Sequence, residues 1–401
     1  MPLTLDIRDP AKPVRRFALF NLGFRPFFLL AGVYSLIAMF IWGGVYVYGW
    51  PMPRLPFSAA HWHAHEMIFG YGMAVAAGFL LTAVRNWTNI PTPHGPQLAG
   101  LTLLWLAGRL VCWLIPENVL PMLLLDLAFD VWIIVAVFSP IMRAKQYQQI
   151  GMASKLVLIF LANLCFYLGV AGILAHGIYW GLYCGLYFLL ALIFSMSRRV
   201  LPMFIERGVG YPVKLTNWVW VDRSIIFAYV LFLIADVFWG NAAGTAVLAA
   251  ILFVLHSIRL VGWHTKGIWT KPLLWVLYLG YSGATTGFLL KALAPFWPLS
   301  PFLALHSFAL GGIGMITVGM MARVSLGHTG RNIQEHSRLL APMFIALILA
   351  YVARVFLPII YSSHDVFWLG IAQAAWLLAF ALLVWVYTPI LVQSRQDGLP
   401  G

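Results

Sequence analysis

Charged residues are scarce in this chain. Asp, Glu, Lys and Arg make up 9% of the 401 residues, and 12 acidic residues stand against 25 basic ones. Hydrophobic residues account for 62%, well above the roughly 45–50% apolar content of soluble domains. A chain with so little charge cannot cover a soluble surface. The composition therefore excludes a soluble protein and indicates a polytopic membrane protein.

Cysteine is also scarce. Cys112, Cys165 and Cys184 all lie in or beside apolar segments, and no Cys-x-x-Cys-His motif occurs. This excludes a disulfide framework and the covalent attachment of c-type haem. Because no linker-like stretch divides the chain, we expect one membrane domain over 1–401, with a short cytoplasmic segment at 1–16 and helices between 17 and 392. The first apolar run ends without a small-residue cleavage site, which argues against a removable signal peptide.

Apolar runs of about 20 residues, the length that crosses a bilayer, recur along the whole chain. They predict an all-α fold of twelve transmembrane helices with both termini on one side. The predicted spans are 17–48, 61–84, 97–115, 119–142, 152–176, 178–201, 217–239, 241–263, 272–293, 301–323, 339–360 and 366–392. Most basic loops fall on the side of the termini, so the positive-inside rule places both termini in the cytoplasm. The basic residues behind the net charge of +13 therefore set the orientation of the protein in the membrane, and they give no support for nucleic acid as a partner.

Histidine is concentrated where the second predicted span begins, in His61-Trp62-His63-Ala64-His65-Glu66. His61 and His65 share a helix face, whereas His63 points away by about 200°. His65 and His306 of the tenth span lie at comparable depth, as two axial ligands of one haem between helices require. We therefore predict His65 and His306 as ligands of a non-covalent, b-type haem, and His61 and His63 as ligands of copper. The competing interpretation is a set of interfacial histidines satisfied by water and lipid headgroups.

Charged side chains inside apolar spans are costly and mark either function or pairing. Arg109 lies in the third span, Arg354 in the eleventh, and Asp126 and Asp130 on one face of the fourth. Arg109 can bind a haem propionate, or it can pair with Asp126 and tie two spans together. Glu66 can bond the free N–H of a ligand histidine, fix its tautomer or carry protons.

A second polar layer is predicted at the inner face. His328 follows His306 by about 33 Å along a continuous helix, so the two cannot share one ion. His328 and Arg331 can bind an anion such as a haem propionate in the loop Gly327-His328-Thr329-Gly330-Arg331. The alternative is that the glycines of this loop only stop the helix. His256, in the eighth span, is a further candidate ligand for copper.

Two long segments of the chain resemble the NnrS family. One is His63-Ala64-His65-Glu66-Met67-Ile68-Phe69-Gly70, continuing to Asn86-Trp87-Thr88, and the other runs along the tenth span from His306 to Arg331. Shorter matches are Gly108-Arg109, Arg199 with Pro202-Met203-Phe204, and His256 with Arg259-Leu260 and Trp263. The resemblance covers nearly the whole chain. It implies a haem- and copper-containing protein of the bacterial inner membrane that serves the nitric oxide and denitrification response.

The chain departs from this family at one position of the ninth span. Where many members carry a histidine before a Gly-Tyr pair, this chain reads Leu277-Tyr278-Leu279-Gly280-Tyr281. If that histidine is a ligand in the family, this chain has lost or replaced it. Tyr278 can ligate iron, donate a hydrogen bond or pack.

Three functions remain open at this point. A redox enzyme that binds or reduces nitric oxide, fed by an electron donor the sequence does not identify, needs one haem with an open coordination position beside a second metal. A haem-based sensor or electron carrier needs only six-coordinate iron. A proton-coupled transporter without a cofactor would use Glu66, Asp126 and Asp130 as a proton path, although no internal repeat is evident in the sequence.

Overall fold

The computed structural model describes residues 17–240, 242–297, 299–335 and 337–398. The predicted N-terminal segment 1–16 lies outside the described residues. Within the described part the chain forms helices and no β-strand, with a single antiparallel bridge between Phe17 and Gln393. The predicted all-α class is therefore confirmed.

Twelve long helical segments follow one another along the chain. They are α1 Phe24–Tyr48, α2 Ala59–Thr88, α3 Pro96–Leu114, α4 Val119–Arg143, α5 Tyr147–Val170, α6 Gly177–Gly208, α7 Val219–Ile234, α8 Ala242–Trp263, α9 Pro272–Leu293, α10 Pro301–His328, α11 Leu340–Ile360 and α12 Ser362–Val392. Among the described residues, eleven of these segments, all except α7, are long and apolar enough to cross a membrane. A π-helical turn, Ala235–Trp239, extends the 16 residues of α7 by 5 and brings it to the length of a span.

The predicted boundaries hold to within several residues, and two of the differences have a local cause. Residues 17–23 are not part of α1, because Phe17 pairs with Gln393 and Ala18 donates a backbone hydrogen bond to Val392. The predicted fifth span stops short of 176 because Gly172 takes the left-handed conformation (φ 73°) and closes a turn.

The helices form a closed arrangement around a small central group. Each helix packs against the next one along the chain, and α12 packs against α1. The most enclosed helices are α2, α6, α9 and α10. The most apolar stretch of each is 83%, 67%, 67% and 78% buried, respectively. α2, α6 and α10 contact each other directly, α2 and α6 through their packing and α2 and α10 through a hydrogen bond between the Tyr71 and Thr317 hydroxyls. The centre of the protein is therefore built from every fourth helix.

The two ends of the described chain meet at one face. Besides the bridge between Phe17 and Gln393, the buried guanidinium of Arg25 donates to the carbonyls of Leu391 (2.8 Å) and Gln393 (2.7 Å). Below these contacts, Arg395 donates to Asp397, and that hydrogen bond raises the pKa of Arg395 above its ordinary value. Ends that share a face require an even number of crossings, which agrees with twelve spans.

Four helices change from α to π geometry along their length. The π-helical stretches are Glu66–Gly72 in α2, Ala235–Trp239 after α7, Ser307–Gly314 in α10 and Val352–Phe356 in α11. Such stretches often occur at functional sites, because the extra residue per turn redirects side chains. Here they begin directly after His65 and His306, and a third contains Arg354.

Candidate functional site

A buried ion network lies between α2, α3 and α4, towards the ends of these helices that are opposite the face where Phe17 and Gln393 meet. Arg109 of α3 donates to Glu66 of α2 (2.6 Å) and also to Asp126 of α4. All three side chains are at most 5% exposed. Two glycines make room for them: a Cβ on Gly108 would lie 2.6 Å from the Asp126 carboxylate, and one on Gly70 would lie 2.9 Å from the Arg109 guanidinium. The pairing of Arg109 with Asp126, one of the two sequence-based alternatives, is therefore present in the structure.

His65 lies inside this network. Its Nδ1 is 3.2 Å from Glu66 Oε1, and its Nε2 is 3.1 Å from Asn163 Oδ1 and 3.6 Å from Asp126 Oδ2. The Asn163 amide group faces this way because its Nδ2 donates to Asp130 (3.0 Å). Both ring nitrogens of His65 thus face hydrogen-bond acceptors of the network.

Three polar members of the network were missed by the sequence reasoning. Tyr34 of α1 and Tyr167 of α5 donate their hydroxyls to Glu66 and to Asp126, and Asn163 of α5 joins His65 to Asp130. Asn163 was detectable in principle, since an amide within an apolar span is costly unless it is paired. The tyrosines carry no such signal, because aromatic residues are common throughout the chain.

A second group forms beside this network, between α1, α2, α10 and α11. It consists of His63, His306 and Arg354, which interact electrostatically with one another. The His63 ring stacks on Trp42 with 4.6 Å between centroids and 5° between planes. His63 Nδ1 and Arg354 Nε are both buried and have no hydrogen-bond partner among the described residues. Of the histidines of α2, His63 is the one that interacts electrostatically with His306, whereas His65 is held by hydrogen bonds within the ion network.

The tautomer of His306 is fixed by its own helix. Its Nδ1 lies 2.7 Å from the Phe302 carbonyl oxygen, which can only accept, so Nδ1 carries the proton. The lone pair of the neutral ring is then on Nε2, the form in which histidine binds metals. His61, by contrast, lies half-exposed at the outer end of α2, where its backbone N–H bonds the Ser58 hydroxyl.

His256 lies at one end of a separate polar chain. Its Nδ1 is 2.6 Å from the Tyr281 hydroxyl, which also accepts from Arg259, and Arg259 in turn pairs with Asp222 (2.6 Å). The ring is completely buried between Phe194 and Phe288. Within the described part of the chain, His256 Nε2 has no hydrogen-bond partner.

The predicted inner anion loop ends a helix. His328 is the last residue of α10, Gly330 has a positive φ of 70°, and the Arg331 N–H returns to the Leu326 carbonyl. Arg395 donates to the His328 carbonyl (3.0 Å). This geometry is that of a helix stop, and the binding of an anion by His328 and Arg331 stays a prediction.

Tyr278 uses its hydroxyl as a donor. The O–H bonds the Leu260 carbonyl of α8 at 3.0 Å, and the ring lies beside His264. Of the three roles considered for this residue, the structure contains the hydrogen bond.

The candidate ligands form pairs rather than triads. In 17–240, 242–297, 299–335 and 337–398, no three His, Cys, Asp or Glu side chains come together in a way that could hold a metal ion. The predicted copper ligands therefore do not lie together. His61 is at the start of α2, His63 stacks on Trp42, and His256 lies between Phe194 and Phe288. Ligation of haem by histidine needs only one or two imidazoles on the iron, and this arrangement can provide them.

The family model described as NnrS protein matches residues 18–395, nearly the whole chain. The chain belongs to the NnrS family. No curated protein matches it. Membership, together with the helical architecture, makes it a multi-pass membrane protein of the nitric oxide response. The match includes both central histidine-bearing helices, α2 and α10, together with the buried Arg109 and the half-buried Arg354.

Proposed function

We propose that this NnrS protein binds b-type haem in the outer half of the membrane and uses it to capture nitric oxide in the bacterial inner membrane. The observation that carries the proposal is the state of His306, whose Nδ1 proton is held by the Phe302 carbonyl (2.7 Å). A neutral imidazole with a free Nε2 lone pair, oriented through its other nitrogen, has the arrangement of a metal-bound histidine.

The residues around His306 fit a haem group. His63 offers a second imidazole, held by stacking on Trp42, and its Nδ1 is buried without a partner. Arg354 adds a guanidinium that interacts with both rings and suits a propionate carboxylate. We propose His306 and His63 as the residues that hold haem, and Arg354 as the residue that neutralises a propionate.

This assignment differs from the pairing of His65 with His306 that the sequence favours. Both nitrogens of His65 already face acceptors, Glu66 and Asn163, so ligation by His65 would break one of these contacts. We assign His65 instead to the ion network, where its two ring nitrogens contact Glu66 and Asn163. Copper at His61 or His256 remains a further proposal, and the buried Nε2 of His256 favours that residue.

Bound ferrous haem would supply an iron that binds nitric oxide in place of the His63 imidazole, because an iron held by both imidazoles has no open position. The protein's own residues would do the rest. Phe302 orients the His306 ring, Trp42 orients the His63 ring, and the ion network keeps exchangeable protons next to the site. These protons are what a reduction of nitric oxide would consume, so turnover is the measurement that separates an enzyme from a sensor or an electron carrier.

Absorption spectra of the purified protein, oxidised and reduced, test the proposal. We expect a Soret band that disappears in His306→Ala and His63→Ala but persists in His65→Ala. His364→Ala is the matched control, because His364 is exposed and its ring bonds the neighbouring Ser363 hydroxyl. Loss of the band in His65→Ala with retention in His63→Ala would restore the pairing of His65 with His306. Absence of haem from the wild-type protein would reject the proposal.

The buried carboxylates support one alternative function. Glu66, Asp126 and Asp130 lie in one connected network with His65 and Asn163, as a proton-coupled transporter without a cofactor would require. In that case the purified protein contains neither haem nor copper, and Asp130→Asn abolishes proton uptake into vesicles.

A further inference from the structure

A small apolar cavity, with about 50 Å³ of internal space, lies between the three central helices and is partly open at one side. Its walls include Gly72 and Ala76 of α2, Leu192 and Ser197 of α6, and Ile316 and Met320 of α10. A cavity needs about 10–15 Å³ of such space to hold one water molecule, so this one has room for an occupant larger than water.

The chemistry of the walls restricts what this occupant can be. Among the described residues, no charged residue and no histidine lines the cavity. An ion would therefore have no counter-charge there, and haem iron would have no imidazole ligand. Water needs two to four polar partners, and apolar cavities of this kind stay dry. The walls therefore suit a small uncharged molecule of low polarity.

One wall residue offers a single polar contact. Ser197 is 1% exposed, and its hydroxyl has no hydrogen-bond partner in the part of the chain that the structure describes. The other hydroxyl on the wall, that of Thr317, is occupied by the Ile313 carbonyl and by Tyr71. A diatomic molecule with one weakly accepting end would use the free Ser197 donor and fill the apolar space around it.

The cavity lies on the same central helices as the histidines. Along α2, Gly72 follows His65 by about 10 Å, and along α10, Ile316 follows His306 by about 15 Å. Two half-buried wall residues, Phe79 and Val200, lie at the end of the cavity away from the histidines. The cavity is therefore about two to three helical turns from His65 and His306.

We propose that this cavity binds nitric oxide as an uncharged diatomic gas and holds it for the site at His306. The delivery step rests on the proposed function, whereas the binding of an apolar gas does not. Nitric oxide partitions into apolar surroundings, so a dry cavity within the membrane would raise its concentration close to the site.

Xenon is the direct probe, because it occupies dry apolar cavities. Crystals of the wild-type holoprotein under xenon pressure should show anomalous density between α2, α6 and α10. Ala76→Leu and Ser197→Leu fill the space from two different helices and should each remove that density. Ala191→Leu, on α6 but outside the cavity wall, is the matched control and should keep it.

The second measurement is the association rate of nitric oxide with the reduced protein after flash photolysis. We expect a several-fold decrease in both filled variants, with the wild-type rate in Ala191→Leu and an unchanged haem spectrum in all of them. Ser197→Ala removes the hydroxyl without filling the space and should lower the occupancy of the gas with little effect on xenon.

Two results would overturn the proposal: no xenon density in the wild-type protein, or a wild-type nitric oxide rate in a filled variant that has lost xenon. If one filled variant does not fold, the other supplies the test. If the protein proves to contain no haem, the proposed function fails, and the cavity proposal then depends on whether xenon enters and nitric oxide displaces it.

Discussion

At the scale of single residues, the balance of charge around Arg109 decides the stability of the outer half of the protein. The guanidinium faces two buried carboxylates, Glu66 and Asp126, and its loss would leave both without a cation. Removing one partner of a buried ion pair costs about 3–5 kcal/mol, because the remaining charge is desolvated and uncompensated. Arg109→Met should therefore lower the unfolding temperature strongly, as measured by thermal denaturation in detergent.

The matched control for this prediction is Arg54→Met, since Arg54 is exposed in the loop between α1 and α2. The triple variant Glu66→Gln, Arg109→Met, Asp126→Asn removes the charges together and should recover most of the lost stability. Equal unfolding temperatures for Arg109→Met and the wild-type protein would contradict the ion network described for α2, α3 and α4.

The sequence predicted which residues belong to these two groups and one of their pairs, Arg109 with Asp126, whereas the pairing of the histidines stays a prediction. His63, His65, Glu66, Arg109 and His306 all stand out as polar residues in apolar spans, and all of them lie in the two outer groups. Helical spacing and depth cannot decide which of two nearby histidines faces a distant helix. A π-helical turn changes the direction of side chains, and hydropathy does not show where such a turn occurs.

At the scale of elements, the π-helical stretch Ser307–Gly314 sets the direction of His306. A π-helical turn holds one residue more than an α-helical turn, so it rotates the part of α10 before it relative to the part after it. Deleting Ala309 should restore α-helical geometry and turn His306 away by about 100°, the rotation per residue. We expect the deletion variant to fold in the membrane and to lose its haem spectrum.

Ala309→Gly provides the control for this deletion, because it changes the same position without changing the register of the helix. It should keep the wild-type spectrum. A deletion variant with an intact spectrum would show that the π-helical stretch has no part in orienting His306.

The elements themselves were the most predictable part of the fold. Each span contains enough consecutive apolar residues to cross a bilayer, which is why the predicted and observed helices agree along the whole described chain. α7 shows the limit of the criterion. α7 carries Asp222, and the π-helical turn after it carries Asp236. These carboxylates pair with Arg259 and Lys291 of neighbouring helices, and only the folded structure contains these partners.

At the scale of the whole molecule, the contact between the two ends determines the topology. Phe17 pairs with Gln393, so both ends lie at one face, and the loop that contains Arg54 lies at the other. The face with the ends also carries the basic loops around Arg143, Arg207 and Lys266. Short basic loops stay in the cytoplasm, so the orientation with both ends inside is the expected one.

Labelling of single cysteines tests this orientation. In a background with Cys112, Cys165 and Cys184 replaced by alanine, Arg54→Cys and Gln396→Cys each place one thiol at an exposed position, on opposite faces. A membrane-impermeant maleimide added to intact spheroplasts should label Arg54→Cys at once and Gln396→Cys only after lysis. The reverse pattern would place the histidine groups of α2 and α10 on the cytoplasmic side, where protons and electrons reach them from the cell interior.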